Sequence, residues 1–282
     1  MTDALDPRLA DYRHLKDRDL SAQGGGGRFV AESERVVRRL LGSGLGVHSV
    51  LVTPARLGSL GQELDGQATS SLASRLESNL QFPVYVAAQS LLNEIAGFPV
   101  HRGCLAVGQR PPPAPLPGNA RAVVILEDLV DADNLGASVR NAAAFGVDAL
   151  LLSPRCADPF YRKAIRVAIG ATFRLPILRL ARWPQDLMTL KRGGGFTLLG
   201  AVLGAPATPL SAVGRPAKFA LLLGSEGPGL SAGARLACDQ LVTIPMAPGA
   251  DSLNVATAGA VALFHLQQGK SPVAAPRPED RG

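Results

Sequence analysis

The sequence predicts an α/β protein with an open, mainly parallel sheet, preceded by a smaller α/β domain. Beyond residue 120, short apolar runs alternate with stretches of helical periodicity, which is typical of parallel strands joined by right-handed crossovers. A proline-rich segment before this region cannot belong to a sheet interior, because proline lacks a backbone N–H donor. Three polar loops follow predicted strands, at the edge where such sheets bind ligands.

The proline-rich segment divides the chain into two domains. At 282 residues, of which 46% are hydrophobic, the chain is long enough to bury two cores. Residues 24–27 are all glycine, which loses the most backbone freedom on ordering, so the start of the chain is expected to be flexible. The predicted divisions are a flexible arm over 1–27, the smaller domain over 28–109, a linker over 110–119, the larger domain over 120–270 and a disordered tail over 271–282.

Each predicted element rests on apolar spacing and on flanking turn residues. In the smaller domain we predict strands over 47–52, 84–87 and 104–107, and helices over 34–41, 70–80 and 90–96. In the larger domain we predict strands over 122–126, 149–152, 176–180, 197–202, 219–223 and 241–245. The helices predicted between and after them cover 136–145, 160–170, 184–191, 231–238 and 253–268.

The composition excludes several classes of protein. No apolar run reaches the roughly 20 residues of a membrane-spanning helix, and residues 1–27 lack the apolar core of a signal peptide, so we expect a cytoplasmic protein. The three cysteines, Cys104, Cys156 and Cys238, are too few and too scattered for a disulfide framework or a zinc site. The four histidines show no paired metal-binding motif either, so no metal site is expected.

The positive charge is concentrated in one part of the chain. The net charge is +6, and residues 155–192 contain nine arginines and lysines but only two acidic residues. In the predicted helix over 160–170, Arg162, Lys163 and Arg166 form a cationic stripe that could bind a polyanion such as RNA. From charge alone, an ordinary solvated helix face is an equally good interpretation.

Asn134 and Arg140 are the candidate functional residues of the first loop, which follows the strand over 122–126. Asn134 stands where a helix N-cap is expected, and capping is as good an explanation for it as catalysis. Arg140 follows among small and apolar residues near the strand ends, a position suited to contact with a phosphate or a hydroxyl group.

The second and third loops carry further candidates. Residues 224–229 contain three glycines and a proline around Glu226, which allows a ligand to approach the backbone closely. This loop matches neither a Walker A nor a GxSxG motif, and Glu226 could instead be a solvated surface carboxylate. Ser252 and Asn254 begin the final helix, whose run of small residues over 256–260 suits close packing, although a capped, buried helix explains them too.

The three loops contain the motifs Asn134-x-Gly136-x-x-x-Arg140, Gly224-x-Glu226-Gly227-x-Gly229-Leu230-Ser231, Ile244-Pro245-Met246 and Ser252-Leu253-Asn254-Val255. Together these segments resemble the SpoU/TrmH family of RNA 2′-O-ribose methyltransferases, within the knotted SPOUT class. Their order and spacing agree with the family over residues 120–268. Asn141 and Ala256 depart from it, since threonine or serine is common at the first position and serine at the second.

The resemblance implies a fold, a cofactor and roles for individual residues. The larger domain would be the methyltransferase domain, with a deep C-terminal trefoil knot, S-adenosylmethionine bound in the knotted cleft, and a homodimer that places the active site near the subunit interface. The cofactor contacts would be Leu223, Gly224, Ile244, Pro245, Met246 and Leu253. The catalytic and ribose-facing set would be Arg140, Asn134, Glu226, Ser252 and Asn254.

The smaller domain is similar to the ribosomal-protein-like RNA-binding domains that are often fused to these enzymes. This similarity rests on residues 29–37 and on His101-Arg102-Gly103. We therefore expect the domain over 28–109 to bind the RNA substrate, which the family implies is tRNA or rRNA.

Two other functions stay open at this point. The chain could be a non-catalytic RNA-binding protein that keeps the knotted fold, although the full set of candidate catalytic residues argues against it. It could also be a knotted enzyme that methylates a base. Binding of S-adenosylmethionine would distinguish the first alternative, and the chemical nature of the methylated nucleoside would distinguish the second.

Overall fold

The computed structural model describes residues 1–13, 15, 27–62, 82–100, 103–204 and 206–268. The chain forms two compact units. The N-terminal unit contains Met1–Pro112 and Phe160–Phe173, and the C-terminal unit contains Pro113–Pro159 and Arg174–Ser271. The division near residue 112 falls within the predicted linker, whereas the assignment of Phe160–Phe173 differs from the predicted domains. The helix predicted over 70–80, His101, Arg102 and the predicted tail lie outside the described residues.

The N-terminal unit is built on a four-stranded sheet with the order β1-β4-β2-β3. β4 runs antiparallel to β1 and β2, and β3 is parallel to β2. The strands are β1 (Arg28–Glu32), β2 (Val47–Val52), β3 (Val84–Val86) and β4 (Cys104–Gln109). The helices are α1 (Glu34–Leu41), α2 (Pro54–Gln62), α3 (Gln89–Ala96) and, from the distant segment, α5 (Arg162–Val167).

Both faces of this sheet are covered, as the alternation along its strands requires. Phe29 of β1 points into one hydrophobic cluster with Val36 and Val37 of α1. Its neighbour Val30 points into the opposite cluster, together with Leu92 and Ile95 of α3. Strands with two buried faces read as continuous apolar runs, which made β2 and β4 predictable, whereas β1 was not predicted as a strand.

Residues 1–13 and 15 pack onto the sheet, whereas a flexible arm was predicted over 1–27; residues 14 and 16–26 of that arm lie outside the described part of the chain. Pro7–Tyr12 form a short 3-10 helix. Leu9, Tyr12 and Leu15 are at most 1% exposed, and the Tyr12 hydroxyl is 2.8 Å from the Ser49 Oγ. The apolar side chains at these positions provide enough buried surface to order residues 1–13.

The segment over 160–173 belongs to the core of the N-terminal unit. Its Ile165 joins the cluster around Phe29. The rings of Phe160 and Phe173 lie 5.2 and 5.3 Å from the Phe29 ring, a favourable separation for aromatic pairs. The basic helix α5 is therefore held by apolar packing and not by charge alone.

The C-terminal unit contains a seven-stranded, entirely parallel sheet with the order β7-β6-β5-β10-β8-β11-β9. Its strands are β5 (Ala122–Leu126), β6 (Ala149–Leu152), β7 (Ile177–Arg179), β8 (Thr197–Ala201), β9 (Thr208–Pro209), β10 (Phe219–Leu223) and β11 (Gln240–Thr243). Its helices are α4 (Ala132–Ala144), α6 (Gln185–Gly194), α7 (Ala232–Ala237) and α8 (Val255–Gln267). The predicted α/β class with a mainly parallel sheet is thus confirmed. None of the described helices has both the length and the apolar character needed to cross a membrane.

Candidate functional site

The three loops singled out by the sequence leave the same edge of the parallel sheet. β5 and β10 are neighbours in register, with Leu126 opposite Leu223. The Glu127 N–H donates to the Leu223 carbonyl oxygen at 2.9 Å, so the first and second loops start side by side. The third loop follows β11, which β8 separates from β10. Carboxyl ends of parallel strands are where open α/β sheets place their ligands.

Asn254 joins the three loops through its side chain. Its Nδ2 donates to the Asn134 Oδ1 at 2.7 Å and to the Glu226 Oε1 at 3.1 Å. Its Oδ1 accepts from the Ala256 N–H at 2.9 Å, so the same residue also caps α8. The structure therefore brings together one candidate residue from each loop.

The sequence predicted Asn134 as the N-cap of α4, and this prediction was wrong. The cap is Asp131, whose Oδ1 accepts from the Asp133 and Asn134 N–H groups at 2.9 Å each. Because Asp131 caps the helix, α4 begins at Ala132 instead of residue 136, and the Asn134 side chain is available to accept from Asn254.

A second contact ties α4 to the start of α8. Asn141 lies seven residues after Asn134, and residues seven apart share a helix face. The Asn141 Nδ2 donates to the Ala256 carbonyl oxygen at 2.8 Å. Ala256 contributes only its backbone to this contact, so the contact depends on the side chain of residue 141 and not on that of residue 256.

Arg140 and Ser252 are both exposed. Within the described part of the chain the Arg140 guanidinium makes no hydrogen bond and no ion pair, so its five donors are available to a ligand. It directly precedes Asn141, which contacts the start of α8. Ser252 lines the cavity described next, whereas Arg140 and Asn134 do not.

A cavity of about 510 Å³ opens between the second and third loops. Its volume lies within the usual range of small-molecule sites, and its walls are largely apolar. Of the predicted cofactor contacts, Pro245 is not part of the lining. Those that line it are Leu223, Gly224, Ile244, Met246 and Leu253, and the charged lining residues are Glu226, Arg235 and Asp251.

Gly224 allows the second loop to close on itself at this cavity. A Cβ atom at residue 224 would lie 2.2 Å from the Gly229 carbonyl carbon and 2.4 Å from the Leu230 nitrogen. Real Cβ atoms do not approach backbone atoms this closely, so only glycine fits. Gly224, Gly229 and Leu230 all line the cavity, so the close approach shapes its wall.

The sequence analysis did not single out two acidic residues that directly follow β5. Asp128 has a φ of 55°, and its N–H donates to the Ser153 Oγ at 2.9 Å. The hydrogen bond from the Arg155 guanidinium holds the pKa of Asp128 below its usual value. Glu127 is 2% exposed although it carries a carboxylate. An acidic pair immediately after a buried strand was the available signal for both.

The basic stripe of α5 is partly engaged within the N-terminal unit. Arg162 pairs with the buried Glu32 and lies over the Phe98 ring, 4.2 Å from its centroid. Arg166 approaches the same carboxylate at 3.3 Å. Of Arg162, Lys163 and Arg166, only Arg166 is exposed. RNA binding by these residues stays a prediction.

The described residues contain no group of three or more histidine, cysteine or acidic side chains that could hold a metal ion. The polar side chains that line the cavity are hydroxyls, the Asn254 amide and three charged groups, a set that suits an organic ligand.

Comparison with known proteins places the chain in a family. The model of the SpoU rRNA Methylase family matches residues 121–264, more than half of the chain and the region that contains all three loops. The chain belongs to the SpoU rRNA Methylase family. The resemblance noted from the three motifs is thereby confirmed, and with it the prediction of an RNA methyltransferase at the level of the family.

Similar SpoU proteins extend over both units. An uncharacterised tRNA/rRNA methyltransferase of Mycobacterium bovis is 40% identical over 271 residues, which cover 93% of this chain and 89% of that protein. The 23S rRNA (guanosine-2′-O-)-methyltransferase RlmB of Acinetobacter baylyi is 30% identical over 234 residues, covering 78% of this chain and 94% of RlmB. The crystal structure of the SpoU methyltransferase AviRb of Streptomyces viridochromogenes in complex with AdoMet matches with a TM-score of 0.73 at 25% identity, covering 93% and 97% of the two chains.

Replacing Asn254 by serine should separate its two roles in this SpoU chain. Serine still caps α8, but its side chain is too short to reach Asn134 and Glu226. We expect a melting temperature close to that of the unmodified chain and a turnover lower by about tenfold or more, because a hydrogen-bonded group at the site is lost. Asn254→Ala is the control that also removes the cap, at a further cost of about 1 kcal/mol in unfolding free energy. Full activity of Asn254→Ser would show that the bridging contacts are dispensable.

Proposed function

We propose that this chain transfers a methyl group from S-adenosylmethionine to a ribose 2′-hydroxyl of tRNA or rRNA. The observation that carries the proposal is the meeting of Asn134, Glu226 and Asn254, one from each motif, beside the cavity of about 510 Å³. The name of RlmB, a 2′-O-methyltransferase similar to 78% of this chain, supports the choice of ribose over base.

The cavity has the properties that this cofactor requires. Leu223, Ile244 and Leu253 offer apolar surface to an adenine ring, and the turn at Gly224 offers backbone groups. Together with Met246, these residues are the proposed cofactor contacts, and Pro245 is proposed on the family resemblance alone. When bound, the cofactor supplies an electrophilic methyl group on a cationic sulfur, and the neutral thioether that remains is the leaving group.

In the proposed reaction the ribose 2′-oxygen bonds to the methyl carbon as the carbon–sulfur bond breaks, and the hydroxyl proton is released to water. The task left to the protein is to position the ribose hydroxyl and to stabilise charge. Alignment of two reactants can contribute about 7–11 kcal/mol to lowering a barrier. Arg140 is proposed to orient the ribose or its phosphate and to stabilise the developing alkoxide, since a guanidinium has five donors and no acceptor atom and is a poor base. Asn254 holds the Glu226 carboxylate in place, and Asn134 and Ser252 complete the ribose-facing set.

We further propose that α8 is the threaded element of a trefoil knot. Two contacts that anchor it support this: the Asn141 amide binds the Ala256 carbonyl oxygen, and the His265 Nε2 lies 2.8 Å from the Val213 carbonyl oxygen. Val213 lies in the long connection between β8 and β10, the kind of loop through which a chain could pass. The chain trace of a crystal structure tests the knot.

A homodimer and an RNA-binding role for the N-terminal unit belong to the same proposal. Val261 and Phe264 are 40% and 59% exposed on α8, which gives this helix an apolar outer face suited to a second copy. Arg166 is the exposed member of the basic stripe on α5 and is the proposed RNA contact there. Because the proposed substrates are tRNA and rRNA, the proposal includes a cytoplasmic location for this chain.

Two measurements on the purified chain test the function. Isothermal titration calorimetry should show stoichiometric binding of S-adenosylmethionine, and mass spectrometry of ribonuclease digests should find a 2′-O-methylated nucleoside in RNA incubated with chain and cofactor. No binding would favour the non-catalytic RNA-binding protein. A methylated base would favour the knotted base methyltransferase, and either result would overturn the proposal.

A further inference from the structure

Glu127 is a buried carboxylate directly after β5, at the base of the second loop. It is 2% exposed and makes no ion pair with any residue that the structure describes. An isolated buried charge is costly unless hydrogen bonds satisfy it. The Glu127 Oε1 accepts from the Trp183 Nε1 at 2.6 Å, and its Oε2 accepts from the Ser231 N–H at 2.9 Å.

These contacts hold both ends of the loop over 224–230. At the beginning, the Glu127 N–H donates to the carbonyl oxygen of Leu223, the last residue of β10. At the end, the carboxylate accepts from Ser231, which caps α7 through its own side chain. One residue of the neighbouring strand therefore fixes the chain immediately before and immediately after the loop.

What lies between the two fixed points is the proposed cofactor wall. The loop carries Gly224, whose turn closes against Gly229, and Glu226, which accepts from Asn254. With both ends held, a shift of Ser231 would be transmitted to these groups, because few residues separate them from the anchor. Glu127 itself does not line the cavity.

Trp183 supplies the other donor from outside the loop. Its ring packs against the core of the C-terminal unit, and the ring of the following residue, Pro184, lies against Gly233 of α7. The indole therefore holds the Glu127 carboxylate through a donor that is not part of the loop. It is also the single tryptophan of the chain, so its fluorescence reports on this contact.

We propose that Glu127 is a positioning residue of the site: by fixing both ends of the loop over 224–230 it sets the geometry in which cofactor and Glu226 are held. The proposal rests on the proposed function for its cofactor but not for its effect on the loop. Glu127 acts through Ser231 and the loop backbone and does not touch the reacting groups.

Glu127→Gln is the central variant, compared with Trp183→Phe as the control. Glutamine keeps the shape but presents an NH₂ group to one of the two N–H donors, so one contact is lost. Trp183→Phe also weakens the packing around residue 127 but leaves the Ser231 contact intact. We expect about tenfold weaker binding of S-adenosylmethionine by Glu127→Gln, and binding within about threefold of the unmodified chain by Trp183→Phe. The proposal would be overturned if both variants lost the same cofactor affinity, since a merely structural role of residue 127 would affect both alike. It would also be overturned if Glu127→Gln lost no affinity.

Hydrogen exchange without any ligand separates this proposal from the proposed function. In Glu127→Gln the amides of residues 225–231 should exchange faster than in the unmodified chain, while those of β5 and β10 stay protected. Unchanged exchange in the loop contradicts the positioning role even if the cofactor binds. If Glu127→Gln exchanges faster in the loop but the unmodified chain does not bind the cofactor, the positioning role of Glu127 is supported and the proposed function is rejected.

Fluorescence gives a third readout, and a second variant guards against misfolding. The emission of Trp183 should change in Glu127→Gln, because the indole N–H loses its carboxylate acceptor or gains a neutral one. Unchanged emission would contradict the contact. If Glu127→Gln does not fold, Glu127→Asp keeps the charge but withdraws the carboxylate by one methylene, and faster exchange at Ser231 is expected there too.

Discussion

Gly224→Ala should strongly weaken the binding of S-adenosylmethionine. The added methyl group would lie 2.2 Å from the Gly229 carbonyl carbon and 2.4 Å from its oxygen. Both are backbone atoms, and the loop cannot open freely because Glu127 holds it at Leu223 and Ser231. We expect calorimetry to show at least about a hundredfold loss of affinity, and we also expect a lower melting temperature. Overpacking typically costs about 1–3 kcal/mol, and the cost is at the upper end or above it when the clash is with backbone atoms.

The matched control for this variant is Gly214→Ala. It lies in the connection that leads into β10, has no positive φ, and a Cβ there would meet nothing within 4 Å. Its affinity and melting temperature should equal those of the unmodified chain. If Gly224→Ala keeps its affinity for S-adenosylmethionine, the second loop does not form the cofactor wall.

Arg140→Lys should lower turnover by about a hundredfold or more and leave cofactor affinity within about twofold. Lysine keeps the charge but loses the planar, bidentate fork that fits a phosphate or a ribose oxygen. Because Arg140 is exposed and has no partner among the described residues, its replacement removes no internal contact. Transfer of labelled methyl groups to RNA measures turnover, and calorimetry measures affinity.

An exposed arginine elsewhere in the same unit provides the comparison. Arg192 on α6 is exposed, and Arg192→Lys should leave turnover unchanged. A similar small effect in both variants would remove Arg140 from the site and leave its position beside Asn141 without a role in catalysis.

Local pattern was sufficient for six of the seven parallel strands but not for the two-residue β9 or for some helix ends. The apolar runs of β5, β6, β8 and β10 are buried on both faces, which makes them recognisable without knowledge of their neighbours. The start of α4 was wrong because Asp131, Asp133 and Asn134 are all acceptable caps, and the choice depends on how the chain leaves β5. Helix α2 was missed because Gly58 and Gly61 within it favour turns.

Long-range packing was what the sequence could not supply. The periodicity over 160–170 correctly indicated a helix with an apolar face, but not that the face packs on Phe29, about 130 residues earlier. The same limit applies to the site. The motifs placed Asn134, Glu226 and Asn254 in three loops, whereas the anchoring of the second loop by Glu127 needed the register of β5 and β10.

The Asn254 amide donates to two acceptors from different loops, so the three residues do not vary independently. A change at residue 134 or 226 alters what residue 254 must do, and the energetic effect of a second substitution depends on the first. Such a triad is subject to epistasis: single steps away from it pass through chains with an unmatched donor or acceptor. We therefore expect the three positions to change together, because a paired replacement can keep every donor matched to an acceptor and a single replacement cannot.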